Sequence, residues 1–175
     1  NGGLFTGGNP LHSELPYRTN STLGGALYLR VSSPVIARNV IRTNSIGSPY
    51  TAANAQGAGL YGYLSHALIR GNTFHENENL NDFDGSGGGI HARESMMDID
   101  HNVFTRNHAV VGSAFYATLS TPRFTRNQVV SNSMYNTYPL PAYGGSQEGA
   151  VALWLVSDFL IEANHIKGQV ADKGA

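Results

Sequence analysis

Cysteine is absent from the 175 residues, which removes disulfides, thiol nucleophiles and thiolate-ligated zinc at once. The compartment stays open, because an oxidising location permits disulfides without requiring them. Charge is scarce as well. Asp, Glu, Lys and Arg make up 13% of the chain, against about 25% in an average soluble domain. With 11 basic and 12 acidic residues the net charge is −1, and the basic excess that a nucleic-acid surface needs is missing. No apolar run approaches the roughly 18 residues that span a bilayer, and no charged-then-apolar leader opens the chain. A soluble, processed or excised segment with no membrane span is therefore expected. At 18.7 kDa it is read as a single domain over 1–175. What is abundant instead is Gly, at 21, and Asn, at 16. Both tolerate left-handed and turn backbone at low cost, so such a chain must turn often.

The turns recur on one template, found five times. It begins with Gly at 24, 57, 87, 112 and 149, and eight residues later stands Ser32, Ser65, Ser95, Ser120 or Ser157. Seven further on comes Asn39, Asn72, Asn102, Asn127 or Asn164; five beyond that comes Asn44, Asn77, Asn107 or Asn132, with Gln169 in the last copy. Between these markers apolar residues alternate with period two, the signature of strands. Leu27, Leu60, Ile90 and Phe115 form one column, Ile36, Ile69, Ile99, Phe124 and Ile161 a second, and Ile41, Phe74, Phe104, Val129 and Ile166 a third. One copy cannot bury its apolar side, whereas stacked copies make a continuous core, each strand pairing in parallel with its counterpart in the next copy. The expected fold is all-β, a right-handed parallel β-helix of about five full rungs plus partial terminal rungs, with three short strands per rung. Stacked Asn amides would form ladders at the turns. Asn20 and Tyr17 place a partial rung before the first Gly. With no amphipathic capping helix at either end, the chain reads as a segment of a longer one.

The stretches Gly24-Gly25-Ala26-Leu27, Gly87-Gly88-Gly89-Ile90 and Ser32-Ser33-Pro34-Val35-Ile36, the last followed by Asn39-Val40-Ile41, resemble the right-handed parallel β-helix repeat proteins of the pectin-lyase-like superfamily, over nearly the whole chain. Phe74 to Asn77, Phe104 to Asn107 and Phe124 to Asn127 resemble the Phe-x-x-Asn element of the polymorphic membrane protein adhesins, although the Phe124 copy ends on the first Asn column and the others on the second. The resemblance implies a secreted or cell-surface protein. The superfamily it implies includes lyases, hydrolases, epimerases, phage tailspikes and non-enzymatic adhesins, and the fold alone does not choose among them.

Inward columns are core, so chemistry belongs on outward columns or inserted loops. On the first strand the outward columns read Tyr28, Tyr61, His91, Tyr116, Leu153 and Arg30, Tyr63, Arg93, Thr118, Leu155. Rings and guanidinium groups in file suit an extended polysaccharide, anionic ones included: sugar faces pack on aromatics, and Arg holds carboxylate or sulfate by two parallel bonds. The ligand-binding candidates are Tyr28, Arg30, Tyr61, Tyr63, His91, Arg93 and Tyr116; the plainer alternative is a cross-strand ladder that binds nothing. The inserted segments, of 12, 9, 4 and 16 residues, all fall at the corner before the first strand, where they would wall this face. The longest, 133–148, carries Tyr135, Tyr138 and Tyr143 and would cover Leu153 and Leu155.

Lyase or epimerase chemistry needs a cation beside a base, and His91 with Arg93 is the one cluster offering both. Glu94 falls in a column otherwise occupied by Val31, Leu64, Leu119 and Val156, expected to point inward. These three are the catalytic candidates. Asp98 and Asp100 resemble a hydrolase pair, but Arg123 and Arg70 stand in their columns one rung away, and cross-rung ion pairing explains all four. Asp82 and Asp84, followed by Gly85, resemble the start of a calcium loop. No other cofactor is expected. The reading carried forward is a non-catalytic extracellular or cell-surface module for adhesion, glycan contact or structural assembly; the alternative is the central part of a polysaccharide lyase, hydrolase or epimerase. Unpaired terminal strands add a further expectation, end-to-end self-association into a filament.

Overall fold

A computed structural model describes residues 3–6, 22–48, 54–81, 85–134 and 149–171. Among them every regular element is a strand and every pairing is parallel. The first sheet stacks Leu27–Arg30, Leu60–Tyr63, Ile90–Arg93, Phe115–Thr118 and Val151–Trp154. The second stacks Val35–Ala37, His66–Arg70, Met96–Asp100, Arg123–Thr125 and Leu160–Glu162. The third is six deep, beginning with Leu4–Thr6 and continuing through Val40–Arg42, Thr73–His75, Val103–Thr105, Gln128–Val130 and His165–Lys167. Neighbours in each sheet come from successive coils, so the chain is a parallel β-solenoid with three strands per coil.

The alternating columns become the core. Ile41, Leu60, Ile69, Phe74, Ile90, Ile99, Phe104, Phe115 and Phe124 are fully buried. Their aromatic members stack, Phe74 on Phe104 of the next coil at 5.0 Å and Phe115 on Phe124 across the core of one coil at 5.1 Å between centroids, each such pair adding about 0.5–1.5 kcal/mol to the area it buries.

Two Asn ladders hold the turns. Asn72 Nδ2 donates to Asn102 Oδ1 at 3.0 Å and Asn102 Nδ2 to Asn127 Oδ1 at 3.1 Å, while each Oδ1 also accepts a backbone N–H from the preceding coil. The second ladder runs Asn44, Asn77, Asn107, Asn132 in the same way. Gln169 takes the last place, its Oε1 accepting from Asn132 N and its Nε2 donating to Val129 O. The partners lie 33, 30, 25 and 37 residues apart; the length differences sit in the corner insertions, so the ladders stay in register. A buried amide is costly without partners and favourable with them, which is why a core this rich in Asn is stable.

Four expectations are corrected. The residue after each first-sheet strand is left-handed: Val31, Leu64, Glu94, Leu119 and Leu155 have φ of 48–51°. That turn breaks the two-residue alternation, so Glu94 does not enter the core, and Val31 and Leu155 are each 70% exposed. The last coil is offset by one residue: Tyr116 pairs with Ala152 and Thr118 with Trp154. Leu153 therefore lies on the inward column and is half-buried, Trp154 points out, and Gly149 is not in the Gly column, whose other members have φ of 58–71°. An extra residue then enters before Leu160, restoring the second and third sheets, but Ser157 leaves the Ser ladder. Finally Phe5, not Tyr17, stands beside Ile41; Tyr17 and Asn20 lie outside the described residues.

Candidate functional site

The outer face of the first sheet is built by register. Tyr28, Tyr61, His91 and Tyr116 are successive Cα partners, as are Arg30, Tyr63, Arg93 and Thr118. In the first file Tyr28 stacks on Tyr61 at 5.7 Å, Tyr61 lies 5.2 Å from His91, and His91 meets Tyr116 edge-on at 4.9 Å. Pointing outward is not the same as being exposed, however. Ser86, at the corner before this sheet, bonds His91, and Tyr61 and His91 retain only 3% and 1% of their surface. Tyr28 at one end is open, at 48%, and Tyr116 beyond His91 is partly exposed. This corrects the expectation of one continuous exposed stripe.

His91 is consequently a buried, neutral imidazole. Its Nδ1 bonds Ser86 Oγ at 3.0 Å, and Nε2 is buried with no hydrogen-bond partner among the described residues. Burial lowers its pKa to about 3, opposed by a hydrogen bond at Ser86 and assisted by the Arg93 charge. Burial also raises the Tyr61 hydroxyl above its ordinary value, with Arg93 pulling the other way.

The second file is the open one. Arg30, Arg93 and Trp154 are exposed, Tyr63 and Thr118 partly so, and the Arg93 guanidinium lies 5.8 Å from the centre of the Tyr63 ring. Arg93 Nε also reaches Glu94 Oε1 at 3.3 Å. Trp154 is the member that sequence reasoning missed: the one-residue offset of the last coil hid it behind Leu153 and Leu155.

On the second sheet Asp98 is opposite Arg123 and Asp100 opposite Arg70, in the expected register. The ion pairs centre on Asp100. Arg126 grips its Oδ1 with Nη2 at 2.7 Å and Nε at 2.8 Å, Thr125 Oγ1 donates to the same oxygen at 2.9 Å, and His101 Nδ1 and Arg70 Nε approach Oδ2 at 2.8 and 3.4 Å. Burial pushes the Asp100 carboxyl upward, but the bonds from His101, Thr125 and Arg126 outweigh it and leave the pKa below the ordinary value. Arg126 was not foreseen because it sits at a left-handed turn, φ 53°, outside the strand columns.

The calcium candidates Asp82 and Asp84, and 135–148 of the longest insertion, lie outside the described residues. Among the described residues no group of three His, Asp or Glu side chains is placed to hold a metal ion, and no helix is long and apolar enough to cross a membrane. No family model, curated protein or solved structure matches the chain.

Proposed function

We propose that the chain is a non-catalytic solenoid module of a secreted or cell-surface protein, one that contacts an extended glycan along the outer face of its first sheet and belongs among the pectin-lyase-like β-helix proteins. The observation that carries this reading is the exposed file Arg30, Tyr63, Arg93, Thr118, Trp154, one residue per coil in strict register. At about 4.8 Å per coil it runs roughly 19 Å, the form an extended polymer needs. Tyr63 and Trp154 offer rings for sugar faces, and Arg30 and Arg93 offer guanidinium groups for carboxylates or sulfates.

The state of His91 supports the non-catalytic side of the reading. An imidazole with its outer nitrogen buried and its pKa near 3 is poorly suited to take a proton from a polymer lying on the surface. Arg93 and Glu94, paired to each other at a turn, complete no acid and base set around it.

The test is a glycan array that includes uronates, with ultraviolet detection of unsaturated products, run on the native chain, Arg93→Ala and Trp154→Ala. Binding that weakens in both variants, without turnover, is the expected result. Undiminished binding in both removes the file as the contact surface, and turnover abolished by Arg93→Ala favours the lyase or epimerase alternative.

A further inference from the structure

The corner joining the second and third sheets carries one left-handed residue per coil: Arg38, Gly71, His101, Arg126 and Ala163, with φ of 53–65°. Each precedes a member of the first Asn ladder, so the corner is held rigidly from inside. Gly71 alone lacks a side chain, and its place is a notch of about 480 Å³ lined by Ala37, Arg38, Arg70, Gly71 and His101. A Cβ at Gly71 would meet nothing nearer than Arg38 Cγ at 3.8 Å. The space is therefore free to take a small group.

The charges around it do not balance. Arg38 is exposed and makes no ion pair among the described residues. Arg70 is exposed and approaches Asp100 with Nε at 3.4 Å, and its guanidinium carries further N–H donors for another acceptor. His101 closes the far side, with Nδ1 turned to Asp100. Among the described residues Asp100 is the one acid at this place and is already held by Arg126 and Thr125; Glu162, the next acid in its column, stands two coils further on. Arg70 and Arg126 already share the Asp100 carboxylate, and Arg38, on the other side of the notch, adds a guanidinium with no acid of its own among the described residues. A guanidinium presents a planar fork of donors that matches an oxyanion, and two from adjacent coils can share one.

We propose that this notch binds a single oxyanion group, the carboxylate, sulfate or phosphate of a ligand lying along the corner, between Arg38 and Arg70 with His101 beside it. The site stands on its own geometry and does not depend on the file on the first sheet.

The experiment titrates ¹⁵N-labelled protein with sodium sulfate, sodium phosphate and galacturonate in separate arms. Sodium chloride at matched ionic strength is the control, and the Gly71 amide and the arginine Nε signals are followed. Saturable shifts at Gly71, Arg38 and Arg70 that chloride does not produce are expected. The arm that binds most tightly separates tetrahedral from planar anions. Arg38→Ala is expected to weaken binding by about tenfold. Gly71→Asn, which fills the notch with a residue that tolerates a left-handed backbone, should do the same. Shifts no larger than with chloride, or an Arg38→Ala affinity equal to the native one, would overturn the proposal. Arg38→Ala truncates an exposed side chain, so it decides the matter even if Gly71→Asn fails to fold.

Discussion

Truncating Asn107 to alanine removes four side-chain bonds from the middle of a ladder. Its Oδ1 accepts from Asn77 N at 3.1 Å and Asn77 Nδ2 at 3.0 Å, and its Nδ2 donates to Phe74 O and Asn132 Oδ1, each at 3.0 Å. Asn107 and Asn77 are both 0% exposed, so water cannot replace what is lost. A buried donor or acceptor left unsatisfied costs about 1–3 kcal/mol. The Asn77 N–H and the Phe74 carbonyl both lose a partner, which puts the cost of Asn107→Ala at about 3–5 kcal/mol. Asn39→Ala in the first coil is the comparison. Asn39 is only part-buried, and its Oδ1 accepts from Gly3 N at 2.7 Å at the exposed edge of the stack; solvent can replace these bonds, and the loss should be about 1 kcal/mol. Urea denaturation followed by far-ultraviolet circular dichroism, with the slopes compared to confirm that the same surface unfolds, measures both. A cost for Asn107→Ala below about 1 kcal/mol, or no larger than that of Asn39→Ala, would refute the argument that the ladder carries the fold.

Three further outcomes follow from other parts of the molecule. Because His91 has a folded pKa of about 3 against an ordinary 6.5, the unfolded chain takes up its proton first as the solution is acidified. Its contribution is therefore intact above pH 6.5 and lost progressively between 6.5 and 3, by on the order of 5 kcal/mol in all; denaturation midpoints should fall across that range, and His91→Gln should flatten the fall above pH 4.5 or so, before carboxylates titrate. Val31, β-branched at φ 48° and 70% exposed, carries backbone strain with little burial in return, so Val31→Asn should raise stability by about 1 kcal/mol in a thermal melt. Among the described residues the strands of the last coil pair on one side only in each sheet, and Phe159, Ile161 and Ile166 are 53%, 42% and 48% exposed there; light scattering should show association that grows with concentration and disappears in Ile161→Lys/Ile166→Lys, whereas a native chain that stays monomeric throughout would contradict it.

The architecture was legible in the sequence because the residues that build it are repeated and chemically demanding. An Asn amide stacked every coil needs the same residue at the same place, and Ile69, Ile99 and Phe124 repeat for the same reason. What the sequence hid lies where one residue carries no such demand. Left-handed φ at Val31, Leu64 and Leu119 is imposed by the turn, with no Gly or Asn to announce it, so a strand-like alternation ran on through Glu94. Gly149 matched the template by position while the strand behind it began one residue earlier, and the outward file that includes Trp154 was misread in consequence. The candidate site suffered most from loops. Periodicity states which way Tyr61 and His91 point, but whether a corner segment lies over them depends on inserted residues that follow no repeat. The Asp100 cluster shows the same limit, since Arg126 reaches it from a turn.

Every column in this account depends on successive coils lying directly beside one another, and a chain without cysteine allows a clean test. His66 and Met96 are exposed Cα partners 30 residues apart in sequence, at about 4.8 Å between adjacent strands, within reach of a disulfide. Cysteines placed at 66 and 96 should oxidise to an intramolecular bond in the native protein, while cysteines at 66 and 98, displaced by two residues along the strand, should not. Equal oxidation of the two pairs, or none in the first, would contradict the stacking itself.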